Sequence, residues 1–393
     1  MTHQLLIAGG GMGGLAAAIA AARAGWQPRL FERASAFGEV GAGIQLGPNS
    51  TRLLAGWGLE AELHRVAAFP EALVVRDATS GAQLGHLQLG ELFGARYGSP
   101  YATVHRADLH ALLLARAERA GAVLKLDATI SAVLPGSSAV RLRINDACDV
   151  EGDALVGADG VWSVVRGQVF GDGAAAATGT VAFRALATQN DLPAALRQQD
   201  VQVWLAPRMH LVSYPVRGGE QLNVVGFAEG AAGADAQDWN QLASGPQVEA
   251  ALGTVCPSLM ALIRAMPAWR AWTQHDRPPM TSPDEMVRGR VALLGDAAHP
   301  MRPYLAQGCG MALEDAAELG NALAQVKGAG LDVPLALRRY ALNRWQRNAR
   351  VQARALRNGR IFHADGIVRF GRDLSMKLMG ERLLDIPWLY RGV

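Results

Sequence analysis

The sequence predicts an α/β protein: a parallel sheet opening on a glycine turn, an inserted antiparallel sheet, and a helical C-terminus. Three observations predict it. "QLLIAGGGMGGLAAAIAAARAG" reads as strand, turn and small-residue helix, and "PRLFER" follows as a second strand, which makes a βαβ unit. From about residue 178 to 283 the texture changes. There "VQVWLAP", "HLVSYPV" and "QLNVVGFAEG" alternate apolar and polar residues, with "RGGEQ" as a hairpin turn. At "GRVALLGDAAHP" the parallel-strand texture returns, and the last third is helical and arginine-rich.

The order of these pieces implies one discontinuous domain at residues 1–72, 98–177 and 284–365. An inserted sheet domain then covers 73–97 and 178–283, and a helical segment covers 366–393. A chain of 393 residues is too long for one simple core, so two domains are expected. Half the residues are hydrophobic and 19% are charged, a globular rather than disordered composition. Lys and Arg exceed Asp and Glu by 38 − 35 = 3, with no basic stripe, which argues against a nucleic-acid partner. Cys148, Cys256 and Cys309 lack metal-ligand spacing, so no metal is expected and a reducing, cytoplasmic setting is. The apolar start mimics a signal peptide or membrane span. It lacks a basic leader, is punctured by glycines and closes on Arg23, so it reads as buried and no membrane association is expected.

Three motifs carry chemistry. In Gly9-x-Gly11-x-Gly13-Gly14, the glycines allow a tight turn and close backbone approach to a pyrophosphate at a helix N-terminus. Glu32 ends the second strand, where a ribose hydroxyl needs an acceptor. The glycine pattern alone does not separate NAD from FAD. In "GADGVWSVVR", Asp159 either caps a helix or belongs to a loop over the dinucleotide, with Arg166 pairing a nearby acid. In "GDAAHPMRPYLAQGCGMALEDA", Asp296 is a candidate polyol ligand or an N-cap, and His299 reads as structural. Gly308, Gly310 and Met311 begin a helix whose first N–H groups point at whatever lies ahead.

Together these elements resemble the class A flavoprotein aromatic hydroxylases, the para-hydroxybenzoate hydroxylase-like monooxygenases, over nearly the whole chain. The resemblance implies a Rossmann-like domain holding non-covalent FAD, NADH or NADPH as transient co-substrate, and oxygen reacting through a flavin C4a-hydroperoxide. "GAGIQLGPNS", "ARYGSPYATVHRADLH" and "HLVSYPV" are similar to the branch of salicylate hydroxylases, 3-hydroxybenzoate 6-hydroxylases and 6-hydroxynicotinate 3-monooxygenases. By that resemblance Arg33, Arg106 and Met311 join the cofactor contacts, and "EVGAGIQ" runs beside the flavin ring. Gln45 and Tyr304 stand where the 6-hydroxynicotinate enzymes look to carry histidines, which shifts the expected small aromatic substrate towards a hydroxybenzoate.

Electrophilic hydroxylation runs faster on a phenolate, so a group taking the phenol proton is expected. His210 and Tyr214 lie four apart on one strand, hence on one face and ~13 Å apart along it. His210 is the natural base and Tyr214 a hydrogen-bond partner to substrate; ordinary half-buried sheet residues are the alternative. Arg208 and Arg302 offer to pair a carboxylate, or are surface charges. The arginine-rich C-terminal helices either form a homodimer surface or pack beneath the cofactor domain.

Overall fold

Strand Gln4–Ala8 and helix Met12–Arg23 are as apolar as they are because water reaches almost none of them. Leu5, Leu6, Ile7, Leu15 and Ile19 are all fully buried, each contributing about 1.5–3 kcal/mol of apolar burial. In this computed structural model, which describes residues 2–38, 41–230 and 238–392, the chain divides into two compact units. The first comprises Met1–Glu39, Leu109–Ala176 and His275–Ala355. The second comprises Val40–Asp108, Ala177–Gln274 and Leu356–Val393.

The first unit is built on a six-stranded sheet in the order Val287–Arg288, Val291–Leu293, Ala154–Gly157, Gln4–Ala8, Gln27–Phe31, Val123–Lys125. Every pair is parallel except the short edge pair Val287–Arg288 with Val291–Leu293. Burial on both faces makes these strands continuous apolar runs. Helix Gly308–Ala329 packs along Met12–Arg23.

The second unit holds a mixed eight-stranded sheet. Its order is Gln241–Ala243, Trp269–Asp276, Ala176–Thr188, Gln221–Glu229, Met209–Val216, Val201–Ala206, Ala72–Asp77, Gln83–Gln88. Most pairs are antiparallel as expected, but Val201–Ala206 runs parallel to Ala72–Asp77, a pairing across more than a hundred residues that local texture does not encode. Met209 and Leu211 face a core with Leu222, Val224, Leu252 and Leu259. The alternate residues His210, Val212 and Tyr214 therefore occupy the opposite face.

The units part at different points from the expected domain limits. Residues 40–72 and 98–108 sit with the eight-stranded sheet. The reason is a set of local bonds. Gly43–Leu46 pairs with Ala102–His105, the Gly43 N–H donates to Asn223 Oδ1 at 2.7 Å, and Thr103 Oγ1 donates to the Pro215 carbonyl at 2.5 Å. Residues 356–393 join the same unit, where Arg369 pairs Asp77 at 2.6 Å. Among the described residues, no helix is long and apolar enough to cross a membrane.

Candidate active site

The glycine turn in the first unit has no room for side chains. A Cβ on Gly14 would lie 2.0 Å from the Gly9 carbonyl oxygen, which is why helix and strand pack so closely there. Gly9 adopts φ +98°, and a Cβ on it would meet the Ala158 carbonyl oxygen at 2.5 Å. Gly11 precedes helix Met12–Arg23, and no side chain caps that N-terminus. Its first N–H groups are thus left for a ligand, with the positive end of the helix dipole behind them. Glu32 braces the turn: Oε2 accepts from the Gly10 N–H at 2.7 Å and Oε1 from the Ala34 N–H at 2.9 Å. Arg33 beside it is exposed.

One residue here escapes sequence reasoning. His110 Nε2 donates to the Gly10 carbonyl at 2.8 Å and is buried. It stands in a segment that reads simply as an amphipathic helix; the available signal was a histidine on that helix's buried stripe.

The second turn lies in the same unit. Every residue from Val291 to Pro300 is buried except Asp296, which is exposed. Asp296 Oδ1 lies 4.0 Å from the point where a Cβ on Gly308 would sit. Helix Gly308–Ala329 begins there with no side-chain cap and no acid in its first turn. The two turns meet: Cys309 Sγ is 3.7 Å from Met12 Sδ, and a Cβ on Gly13 would be 2.7 Å from Leu294. Met311 is spent elsewhere. Its N–H bonds the Gln307 carbonyl at 2.8 Å and its sulfur lies 3.8 Å from Arg344 Nη2, so its fully buried side chain turns inward. Gly310 is buried at the same helix start.

Asp159 bonds the start of helix Val164–Val169, whose N-cap is Ser163. It accepts from Ser163 Oγ at 2.5 Å and from the N–H groups of Val164 and Val165 at 2.8 and 3.1 Å. Burial raises its pKa against the pull of those donors. Arg166 pairs Asp172 and also donates to the Ala297 and Ala298 carbonyls at 3.1 and 2.5 Å, bracing the turn that carries Asp296. His299 is structural, as expected: fully buried, with Nε2 2.5 Å from Asp315 Oδ2.

In the second unit, Gln45, Tyr101 and Tyr214 form one polar cluster. Tyr101 donates to Gln45 Oε1 at 2.7 Å, and Gln45 also bonds Tyr214. Gly43 makes this approach feasible, since a Cβ there would fall 2.4 Å from Tyr214 Cε2. Burial pushes the Tyr214 hydroxyl well above the ordinary phenol pKa, so it stays protonated and able to donate. His210 is 1% exposed, stacks on Phe227 at 4.6 Å, and bonds His363. Between His210 and Tyr214, Val212 and its cross-strand partner Val225 remain partly exposed on the same face.

Tyr304 is buried in the first unit, whereas Gln45 belongs to the second. Arg106 starts a helix, donates its N–H to the Ala42 carbonyl at 2.7 Å and is half-buried. Arg302 is not a carboxylate clamp in waiting, because it already pairs Asp276 at 2.8 Å. Arg208 is an exposed turn residue at φ +60°, which fits the surface alternative. Of "EVGAGIQ", Glu39 and Val40 lie outside the described residues.

Two uncapped helix N-termini meeting beside a side-chain-free glycine turn, an acid at the second strand's end and an exposed acid at the second turn fit a flavin dinucleotide. The FAD binding domain family matches residues 2–363. The chain is 40% identical to 3-hydroxybenzoate 6-hydroxylase of Polaromonas naphthalenivorans (strain CJ2), over 98% of this chain and 95% of that protein. It is 38% identical to 6-hydroxynicotinate 3-monooxygenase of Bordetella bronchiseptica, over 89% of each. Among solved structures, Klebsiella pneumoniae HpxO complexed with FAD and uric acid matches with a TM-score of 0.85 at 24% identity, covering 97% of this chain and 94% of that one. That last likeness concerns the fold. The chain therefore belongs to the FAD binding domain family, among its FAD-dependent aromatic-ring monooxygenases, and FAD is its cofactor.

The contact between Asp296 and FAD is a reading of the turn's geometry, and Asp296→Ala tests it. The variant is expected to bind FAD about 10- to 100-fold more weakly, the loss of one or two hydrogen bonds to a charged group. Titrating apoprotein with FAD by fluorescence quenching measures this; affinity equal to the parent's would remove Asp296 from the cofactor site.

Proposed function

We propose that the protein hydroxylates a small hydroxylated aromatic carboxylate of the 3-hydroxybenzoate or salicylate type, consuming NADH or NADPH and oxygen. The carrying observation is the sheet face of the second unit, where two partly exposed valines lie between buried His210 and Tyr214. An apolar floor with a base at one end and a phenolic donor at the other suits a flat, mono-ionic ring. The names of the 3-hydroxybenzoate 6-hydroxylases at 35–40% identity support the substrate class.

Bound FAD, reduced by the nicotinamide, supplies the activated oxygen. The protein's own residues do the rest. His210 accepts the phenolic proton, which raises electron density at the ring carbon under attack. Tyr214, kept protonated by burial and oriented by Gln45, donates to a ring oxygen or the carboxylate. In the first unit, the glycine turn, Glu32 and Asp296 would hold the dinucleotide, and the uncapped start of helix Gly308–Ala329 would offer N–H donors to negative charge on the reduced cofactor.

The pyridine reading keeps a relative at 38% identity in its favour. Against it, the two positions that look like histidines in those enzymes are Gln45 and Tyr304 here. A panel of 3-hydroxybenzoate, salicylate, 4-hydroxybenzoate and 6-hydroxynicotinate separates these, scored as ring-hydroxylated product and hydrogen peroxide per NADH consumed. Product near one per NADH is expected with a hydroxybenzoate. Peroxide alone with every acid would mean a flavin oxidoreductase that does not oxygenate the ring.

A further inference from the structure

The bond between His210 and His363 joins residues 153 apart in sequence, with Nδ1 of the first 2.8 Å from Nε2 of the second. His210 is sandwiched by Phe227 at 4.6 Å and the edge of Phe362 at 5.4 Å. His363 follows helix Val333–Phe362, and its main chain is fixed: the backbone N–H donates to the Gly359 carbonyl at 3.1 Å and the backbone carbonyl accepts from the Arg208 N–H at 3.1 Å. The two differ in one respect: His210 is sealed from water, while His363 is partly exposed.

That difference matters to a base. Burial, helped by His363, pushes His210 well below the ordinary imidazole pKa, so an imidazolium there is costly to keep. A buried base that must take a proton needs a route to pass it on. The neighbours on the adjoining strands, Leu205 and Phe227, carry no charge. The charged groups around the helix end include Arg208 on the hairpin, Arg360 and Asp365 on either side of His363, and Arg372, which donates to the Ile361 and Phe362 carbonyls at 3.2 and 2.8 Å and pairs Asp373 at 2.7 Å.

We propose that His363 is the second member of a proton relay, carrying the proton that His210 removes from the substrate out to water. The phenolic O–H bond breaks and its proton goes to His210 Nε2. The Nδ1 proton of His210 moves to His363 Nε2, and the Nδ1 proton of His363 leaves to water. Both imidazoles end neutral with their tautomers exchanged, and the substrate is left as its phenolate. The relay rests on the reading of His210 as the proton acceptor.

The test uses full-length, FAD-loaded protein mixed with 3-hydroxybenzoate, and in parallel with salicylate, in weakly buffered solution containing a pH indicator. Stopped flow follows proton release beside the flavin absorbance change that reports binding. The parent is expected to release a proton on binding. His363→Gln keeps a hydrogen bond to His210 but cannot relay, and is expected to slow release about 100-fold while binding affinity stays within about threefold, with partial rescue by added imidazole. His363→Phe removes the bond as well and is expected to behave alike. Release at the parent's rate in both His363 variants, with release lost in His210→Gln, would overturn the relay and leave the base standing. Normal release in His210→Gln, or none in the parent with either acid, would overturn base and relay together.

Discussion

Replacing Asp315 with alanine is expected to destabilise the protein by about 3–5 kcal/mol, the cost of removing one partner from a buried ion network. Asp315 and Arg344 are both fully buried. The Asp315 carboxylate accepts from Arg344 Nε at 2.8 Å, Asn348 Nδ2 at 3.0 Å, the Gly295 N–H at 3.1 Å and His299 Nε2 at 2.5 Å. Four donors converge on one acid, so its loss strands an arginine and frees the backbone of the turn that carries Asp296. Glu314, which takes Arg344 Nη1 at 2.9 Å and Arg347 Nε at 2.6 Å, offsets only part of the charge.

Burial alone would raise the Asp315 pKa, but His299 and Arg344 outweigh it and hold the carboxyl well below the usual carboxylate range. A depressed carboxylate pKa gives stability that is complete above the ordinary carboxylate value and is lost only as pH falls below it. The parent's contribution from this group should therefore be flat across the neutral range, and the deficit of the variant constant there. Urea unfolding of parent, Asp315→Ala and Asp315→Asn at two neutral pH values measures it. The asparagine, which keeps the acceptor oxygen, should fall between. A deficit under about 1 kcal/mol for alanine would show that the network is not what holds this turn.

What was legible in the sequence is what is local in the sequence. The turn from Gly9 to Gly14 and its acid at Glu32 are separated by one helix and one strand, so spacing alone carries them. Asp296 was legible because it interrupts a run that is otherwise apolar or small. His210 and Tyr214 share a face because strands alternate. The partners of these residues were not legible, since each arrives from far along the chain. His363 reaches His210 across 153 residues, Gln45 comes from a strand that precedes Tyr214 by well over a hundred, and His110 meets Gly10 at a separation of 100. The same distance defeated the domain limits: the order of segments assigns 40–72 and 98–108 to the cofactor domain, while bonds through Gly43 and Thr103 bring them to the sheet. The pairing of Arg302 with Asp276 was not legible, because an arginine's sequence position says nothing of which acid meets it.

His210→Ala should lower ring hydroxylation by 10²–10⁴-fold, the range that a positioned acid–base group contributes. FAD content should be unchanged, because the residues proposed to hold it, the glycine turn, Glu32 and Asp296, all belong to the first unit and His210 to the second. The structural alternative is that His210 merely fills space between Phe227, Phe362 and His363. The two roles leave different traces. A lost packing residue lowers thermal stability and affects all substrates alike. A lost base penalises a substrate according to how tightly it holds its phenolic proton, so a fluorinated hydroxybenzoate that is already ionised at the assay pH should recover much of the missing rate in the variant and gain little in the parent. A shift in the pH profile belongs with this: the variant's hydroxylation should climb as pH approaches the free phenol's own pKa, since solvent then does what the imidazole did. Equal losses on the ionised and un-ionised acids, with no climb at high pH, would reduce His210 to packing and leave the proton to be taken by some other group.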